Sequence, residues 1–318
     1  MATIKDIAKA AKCSISTVSY ALNNDNRISD RTANRIKMIA KEMNYFPSAA
    51  ARNLKRQNTK TILVAISDFG GPVYNELLDG IHHELVNHDY TMIVSTGVSS
   101  DKMLKQRSAD GAIISDINIE DNFLKKVAVN FEPIIVLDRQ LKEDTIFNLT
   151  IDNEILMYNL TKDVISHGYK KIAFVHGVKN AYDNESRFLG LKKALNECGK
   201  SVFREFTGNF TKESGAEIAK DIIKLDNKPD MIVCSNDEMA LGIMEELINN
   251  NYKIPGDIGV SGFDDIMLSS YFHPKLSSVR IDHFSWGKRI AKTMVQLLNK
   301  EKVKIEKEQG TVIRRESY

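Results

Sequence analysis

Apolar positions near the start of the chain recur with a helical rhythm. Ile4, Ile7, Ala8 and Ala11 fall on one helix face, and Thr3 and Asp6 stand at the spacing of a capping box. Lys12 and Cys13 break the pattern. Ser14 is suited to cap a second helix, whose apolar stripe is Ile15, Val18 and Leu22. A third helix starts near Ser29, buries Ile36, Ile39, Ala40 and Met43, and stops before Pro47. Two short helices joined by a tight turn, the second opening on small polar residues, predict a helix-turn-helix whose second helix lies in a major groove.

From Thr61 the texture changes to short β-rich apolar runs. TILVAI (61–66), YTMIV (90–94), GAIIS (111–115) and PIIVLD (133–138) read as buried parallel strands, with ELLDGIHHELVNH a helix between the first two. KIAFVHG (171–177), SVFREFTG (201–208), MIVCSND (231–237) and IGVSGFDD (258–265) form a second series, separated by the amphipathic stretches RFLGLKKALNEC, GAEIAKDIIK and EMALGIMEELINN. Two βα series of similar size predict two doubly wound subdomains with ligand-facing loops at the carboxyl ends of their strands, and a cleft between them. Between helical head and α/β body, PSAAARNLKRQN (47–58) has helix-favouring alanines but only Leu54 as a large apolar side chain. It is too short to be a stable helix alone.

Charge sharpens this division. The net charge of +2 over 318 residues hides an asymmetry: residues 1–60 hold seven Lys and five Arg against three Asp and one Glu, a net +8. The other 258 hold 32 basic and 38 acidic side chains, a net −6. A basic arm on a mildly acidic body is the footprint of a nucleic-acid contact. Three cysteines without CxxC spacing argue against a disulfide framework or a zinc site, and no apolar run is long enough to span a bilayer. A cytoplasmic protein without cofactor or metal is expected. Enzyme motifs fail on context: ALNECGKS (194–201) fits a loose phosphate-loop pattern, but a helix precedes Gly199 and a strand follows, the reverse of the required order. Gly199 reads instead as a helix C-cap. No HExxH, GxSxG or paired-carboxylate set is present, so no enzyme is expected.

TIKDIAKAA, STVSYALN and YFPSAAARNLKR, in that order, closely resemble the N-terminus of the lactose-repressor (LacI/GalR) family of bacterial transcriptional regulators. The resemblance extends over essentially the whole chain. It implies a helix-turn-helix domain over 1–46, a hinge over 47–59, and a periplasmic-binding-protein-like core over 60–318, with a first lobe of about 60–150 plus 282–306 and a second of about 151–281 plus 307–318. It also implies that Ser14, Ile15, Ser16, Thr17 and Tyr20 touch DNA, and that Leu54 wedges into the minor groove beside Lys55, with Arg52 and Arg56 placed to meet phosphate. For the effector it implies Arg187, Phe210, Asn236 and Asp264, and more weakly Phe69, Tyr74 and Asp138. Asn236, Asp237, Asp264 and Asp265 also read as simple helix N-caps, Arg187 as a surface ion pair and Phe210 as core.

The chain departs from the family pattern between VSTGVSSDKMLKQ and DGAII, where the first lobe is shortened and only Lys105 and Arg107 remain of a basic stretch. The ending TVIRRESY carries no heptad extension, so a homodimer on a pseudo-palindromic operator is expected. The resulting expectation is a DNA-binding regulator of the repressor type, controlled by a sugar or sugar phosphate held between the lobes. The alternative is a sugar receptor without DNA function.

Overall fold

The computed structural model describes residues 2–46, 58–129, 131 and 133–318. The chain divides into two compact units, Met1–Thr59 and Lys60–Tyr318.

In the first unit, α1 (Ile4–Ala10), α2 (Ile15–Leu22) and α3 (Asp30–Glu42) enclose a miniature core of Ile7, Ala8, Ala11, Val18, Ala21, Ile36 and Ala40. Local chemistry sets each boundary. Thr3 and Asp6 form the reciprocal capping box, and Ser14 and Ser29 accept from the backbone N–H of Thr17 and Thr32. The turn between α1 and α2 passes through Lys12 in the left-handed region, φ 49°, and closes with Cys13 N–H donating to the Ala8 carbonyl at 3.0 Å. One expectation is corrected: Ile15 is 45% exposed and does not belong to the apolar stripe of α2, whose buried positions are Val18 and Ala21. The hinge residues Arg52, Leu54 and Lys55, with Arg56, lie outside the described residues.

The second unit carries two parallel sheets. β1 (Thr61–Ile66), β2 (Thr91–Ser95), β3 (Gly111–Ser115), β4 (Ile134–Val136) and β5 (Ile146–Asn148) are ordered β2-β1-β3-β4-β5. β6 (Ile172–His176), β7 (Arg204–Thr207), β8 (Met231–Cys234) and β9 (Gly259–Ser261) are ordered β7-β6-β8-β9. Five consecutive buried residues in β1 and four in β3 reflect sheets covered on both faces by helices. In both sheets the order reverses beside the first strand, β1 or β6, which places a ligand crevice at the loops after β1, β3, β6 and β8.

The covering helices are α4 (Pro72–Asn87), α5 (Val98–Lys105) and α6 (Asp121–Ala128) in the first half, then α7 (Asn153–Ser166), α8 (Tyr182–Glu197), α9 (Lys212–Ile223), α10 (Asp237–Asn249) and the short α11 (Met267–Tyr271). α12 (His283–Leu298) returns to pack on α4, close enough that a Cβ on Gly80 would lie 2.1 Å from the Phe284 carbonyl oxygen. β10 (Ser278–Arg280) and β11 (Thr311–Ile313) pair antiparallel in a small third sheet. The crossing segments meet at an Ile151–Glu308 bridge. One apolar cluster runs from Ile62 and Val64 through Ile151 and Ile281 to Phe174 and Val233, so both sheets share a core.

The strand expected over 201–208 is limited to Arg204–Thr207, and the shortened stretch after β2 forms the two-turn α5, entered through Gly97 at φ +52°. Gly199 stands just past α8 at φ +65°, and Lys200 N–H donates to the Leu195 carbonyl at 2.9 Å, closing the helix as a C-terminal cap does. No helix among the described residues is long and apolar enough to cross a membrane.

Candidate DNA-contacting surface and effector cleft

On α2, Ser14, Ile15 and Ser16 are exposed, and Thr17 and Tyr20 are half-buried. Ser14 and Thr17 share a hydroxyl hydrogen bond of 2.8 Å, which fixes both side chains at the helix start. Arg27 stacks on Tyr20, its guanidinium carbon 3.9 Å from the ring centroid, and donates to the phenol oxygen at 3.1 Å while pairing with Asp25. The tyrosine thus carries a cation over its ring face and a donor at its hydroxyl. The helix start offers small hydroxyls and one apolar side chain, suited to base edges and thymine methyls.

In the second unit, Arg187 is the centre of a cluster built from four elements. It sits on α8 and is almost fully buried, with its carbon 3.8 Å above the Phe263 ring. Its Nε donates to Asn153 Oδ1 (2.8 Å), one terminal nitrogen to the Ser235 carbonyl (2.6 Å), and the other reaches Asp264 Oδ1 (3.5 Å). The surface-ion-pair reading of Arg187 is therefore wrong; two of its five N–H donors stay uncommitted. Asn153, the first residue of α7, also donates to Asp183 Oδ1 at 2.7 Å, so one amide holds arginine and carboxylate in fixed relation.

Asp264 occupies an unusual backbone position, φ 102°, and Asp265 follows at φ 52°. Neither caps a helix, since the cap of α11 is Ile266; this corrects the N-cap reading for both. Asn236 does cap α10: its Oδ1 accepts from Met239 N–H at 3.1 Å and its Nδ2 donates to the Phe210 carbonyl at 2.8 Å. Asp237 is a buried tie. Its carboxylate accepts from Ile266 N–H, Ser269 and Ser278 at 2.6–2.9 Å, fastening α11 and β10 to the head of α10. Phe210, φ 71°, is half-buried, its ring 2.1 Å from where a Cβ on Gly177 would stand; only glycine lets the ring lie there.

The candidates from the first half of the unit are Tyr74, Asp138 and Phe69. The Tyr74 hydroxyl donates to the Ser115 carbonyl at 3.1 Å, while Phe69 is 68% exposed. Asp138 is held by the adjacent Arg139 through two 3.0 Å bonds. A direct tie joins the halves, from Gln140 Nε2 to the Tyr182 hydroxyl at 2.9 Å.

Burial pushes the carboxyls of Asp183 and Asp264 up to about 6 against the opposing pull of Arg187, and Asp138 and Asp264 push Asp183 further up. Burial, with Asp264, Asp68 and Glu213 nearby, raises Glu238 to about 7. Asp138 is also raised by burial, though Arg139 opposes it. His283, first residue of α12, is 3% exposed and lowered to about 4 by burial and then by the charge of Arg187. Neither of its ring nitrogens has a hydrogen-bond partner among the described residues. Asn153, Asp183 and His283 escaped the sequence reading, because nothing in their spacing marks them.

The head and body thus define a class: a helix-turn-helix joined to a two-lobed, ligand-type α/β core with a polar cluster at the carboxyl ends of both sheets. Residues 3–48 match the model of the bacterial regulatory proteins of the lacI family, and 161–318 match that of the periplasmic binding protein-like domain. The HTH-type transcriptional regulator RegA of Clostridium saccharobutylicum is 31% identical over 95% of both chains. A sugar-binding LacI-family regulator from Enterococcus faecalis superposes with a TM-score of 0.78 at 30% identity, covering 83% of this chain and 99% of its own. The lac repressor dimer bound to operator and the anti-inducer ONPF shares the fold, with a TM-score of 0.88 at 22% identity over 99% of this chain and 98% of its own. The chain belongs to the lacI family of bacterial regulatory proteins. It is a DNA-binding transcriptional regulator with a small-molecule effector domain.

Proposed function

We propose that this regulator is a homodimeric repressor that reads a pseudo-palindromic operator through α2 and releases or grips it according to a small ligand held between the lobes of the core. The observation that carries the reading is the buried cluster of Arg187, Asn153, Asp183 and Asp264 at the carboxyl ends of the strands, in a chain whose head opens α2 with small polar side chains at its surface. The lobes are assigned as about 60–150 plus 282–306, and about 151–281 plus 307–318.

Ser14, Ile15, Ser16, Thr17 and Tyr20 take the major-groove role, with Ile15, Ser16 and Tyr20 nearest the base edges. Residues 47–59 take the hinge role: Leu54 is the minor-groove wedge with Lys55 beside it, and Arg52 and Arg56 meet phosphate. Arg187, Phe210, Asn236 and Asp264 take the effector, with Phe69, Tyr74 and Asp138 facing it from the first lobe. The exposed apolar face of α11, with Met267 69%, Leu268 56% and Tyr271 71% exposed, is the kind of surface a second copy covers. No catalytic role is assigned to any residue, and the site of action is the cytoplasm.

The effector acts by binding one arrangement of the core better than the other, which sets whether both hinges of the dimer can coil on DNA together. Selection of duplexes from a random library by the full chain tests the reading. The expected outcome is a two-fold symmetric consensus. Ser16→Ala or Tyr20→Ala should relax specificity by about 1–3 kcal/mol at the position each reads. An absence of any enriched sequence would refute it.

A further inference from the structure

Arg27 stands in the loop after α2, outside every helix of the head, yet its side chain is held from two residues at once. The guanidinium lies over the Tyr20 ring, and one terminal nitrogen donates to the Tyr20 hydroxyl at 3.1 Å. Nε and the other terminal nitrogen donate to the two carboxylate oxygens of Asp25 at 2.9 and 2.5 Å. The loop beneath is fastened as well. Asp25 N–H donates to the Tyr20 carbonyl at 3.0 Å and Arg27 N–H to Asp25 Oδ1 at 3.1 Å, while Asn23 Nδ2 donates to the Ser19 carbonyl at 2.7 Å and Lys37 Nζ to Asn24 Oδ1 at 2.6 Å. Backbone and side chain are set before any duplex arrives, which lowers the ordering cost of a contact. Three of the five guanidinium N–H donors are used in this way, and the remaining two, one on each terminal nitrogen, have no partner among the described residues.

Resting on the assignment of α2 to the major groove, we infer that Arg27 reads a guanine of the operator, with Tyr20 as its platform and Asp25 as its clamp. Tyr20 stands four residues after Ser16, so both lie on one face of α2, and Arg27 extends that strip by its stack on the ring. Two N–H donors along one edge of a planar group match the paired O6 and N7 acceptors of guanine. Adenine offers one acceptor and one donor in the same groove, and neither pyrimidine offers an acceptor pair. A phosphate fits the same fork, so charge decides between the two. Asp25 neutralises Arg27 at 2.5 Å, and a neutral pair has little attraction for a polyanion while its fork keeps its direction. The Arg27 side chain is 65% exposed, where an ion pair adds little to stability, so its fixed orientation serves recognition rather than folding of the head.

Duplex selection from a random library by the full chain and by its Arg27→Ala variant, followed by binding measurements on the consensus, tests this. The consensus should hold one G·C pair per half-site whose preference falls by about 5–150-fold in Arg27→Ala while the other columns persist. Arg27→Lys keeps the charge but loses the fork, so it should lose the same column at an unchanged salt slope. Tyr20→Ala, which removes the platform, should lose that column too. Replacing the guanine by 7-deazaguanine, which lacks the N7 acceptor, should weaken binding of the unmodified chain by about fivefold or more and leave Arg27→Ala unaffected. Thermal unfolding of the head should be the same with and without the Arg27 side chain. Uniformly weaker binding of all sequences by Arg27→Ala, with the salt slope reduced by about 1, marks a phosphate contact and overturns the inference, as does an unchanged consensus. If the unmodified chain selects no consensus, the inference falls as well, but through loss of the major-groove reading beneath it.

Discussion

Asn153 does more for the cleft than its size implies. One amide accepts from Arg187 Nε and donates to Asp183, so Asn153→Ala leaves a buried guanidinium N–H and a carboxylate without their partners. The expected cost is about 2–4 kcal/mol in denaturant unfolding of the core, with loss of the ligand response. Gly177→Ala pushes a Cβ into the Phe210 ring and should cost about 1–3 kcal/mol in thermal unfolding of the core while displacing that ring. Arg187, Phe210 and Asp264 were identifiable from motifs with a characteristic sequence context. Asn153, Asp183 and His283 were not. Their partners lie tens of residues away, and an asparagine after a strand or a histidine opening a helix has no local signature. Asp237 was read as one helix-cap candidate among four, whereas only the tertiary fold reveals its three donors on α11 and β10.

Element boundaries in the head were legible because their causes are local. The Thr3–Asp6 box, the Ser14 and Ser29 caps and the turn at Lys12 all act within a few residues. Ser14→Ala should therefore destabilise the head by about 1 kcal/mol in thermal unfolding of the full chain and leave the melting of the core unchanged. Ile15 is the instructive exception: its heptad-like spacing predicted burial, but Val18 and Ala21 suffice to fill so small a core, and Ile15 faces outward. In the body, long buried runs announced β1 and β3, while β5, only three residues, and the return of α12 onto α4 depend on contacts across the whole unit.

For the whole molecule, proton linkage gives a sign that calorimetry can check. Asp183, Asp264, Glu238 and Asp237 all bind protons more tightly in the folded state, with values of about 6, 6, 7 and 8, each raised chiefly by burial. Their contribution is therefore full below about pH 4 and is lost as pH rises from there through each folded value, at about 1.4 kcal/mol per pH unit for each proton, so that above about pH 6.5 the slope comes chiefly from Asp237 and Glu238. His283 acts oppositely, because its folded value near 4 lies below its unfolded one, so its contribution is lost as pH falls from about 6.5 to 4. Core Tm should consequently be higher at pH 6.5 than at pH 8.5, and Asp237→Asn should flatten that slope. Operator affinity should in turn fall with salt at a log-log slope of about 0.9 per phosphate neutralised, since the head and hinge hold the net +8 of residues 1–60.

Coupling between the two units is the central claim, and the most direct measurement of it is the operator Kd by fluorescence anisotropy across a titration of the sugar or sugar phosphate that most raises Tm. The expected result is a change of about 5–150-fold in one direction, saturating at the concentration that saturates the thermal shift. An operator Kd that stays constant while the compound demonstrably fills the core would contradict the account.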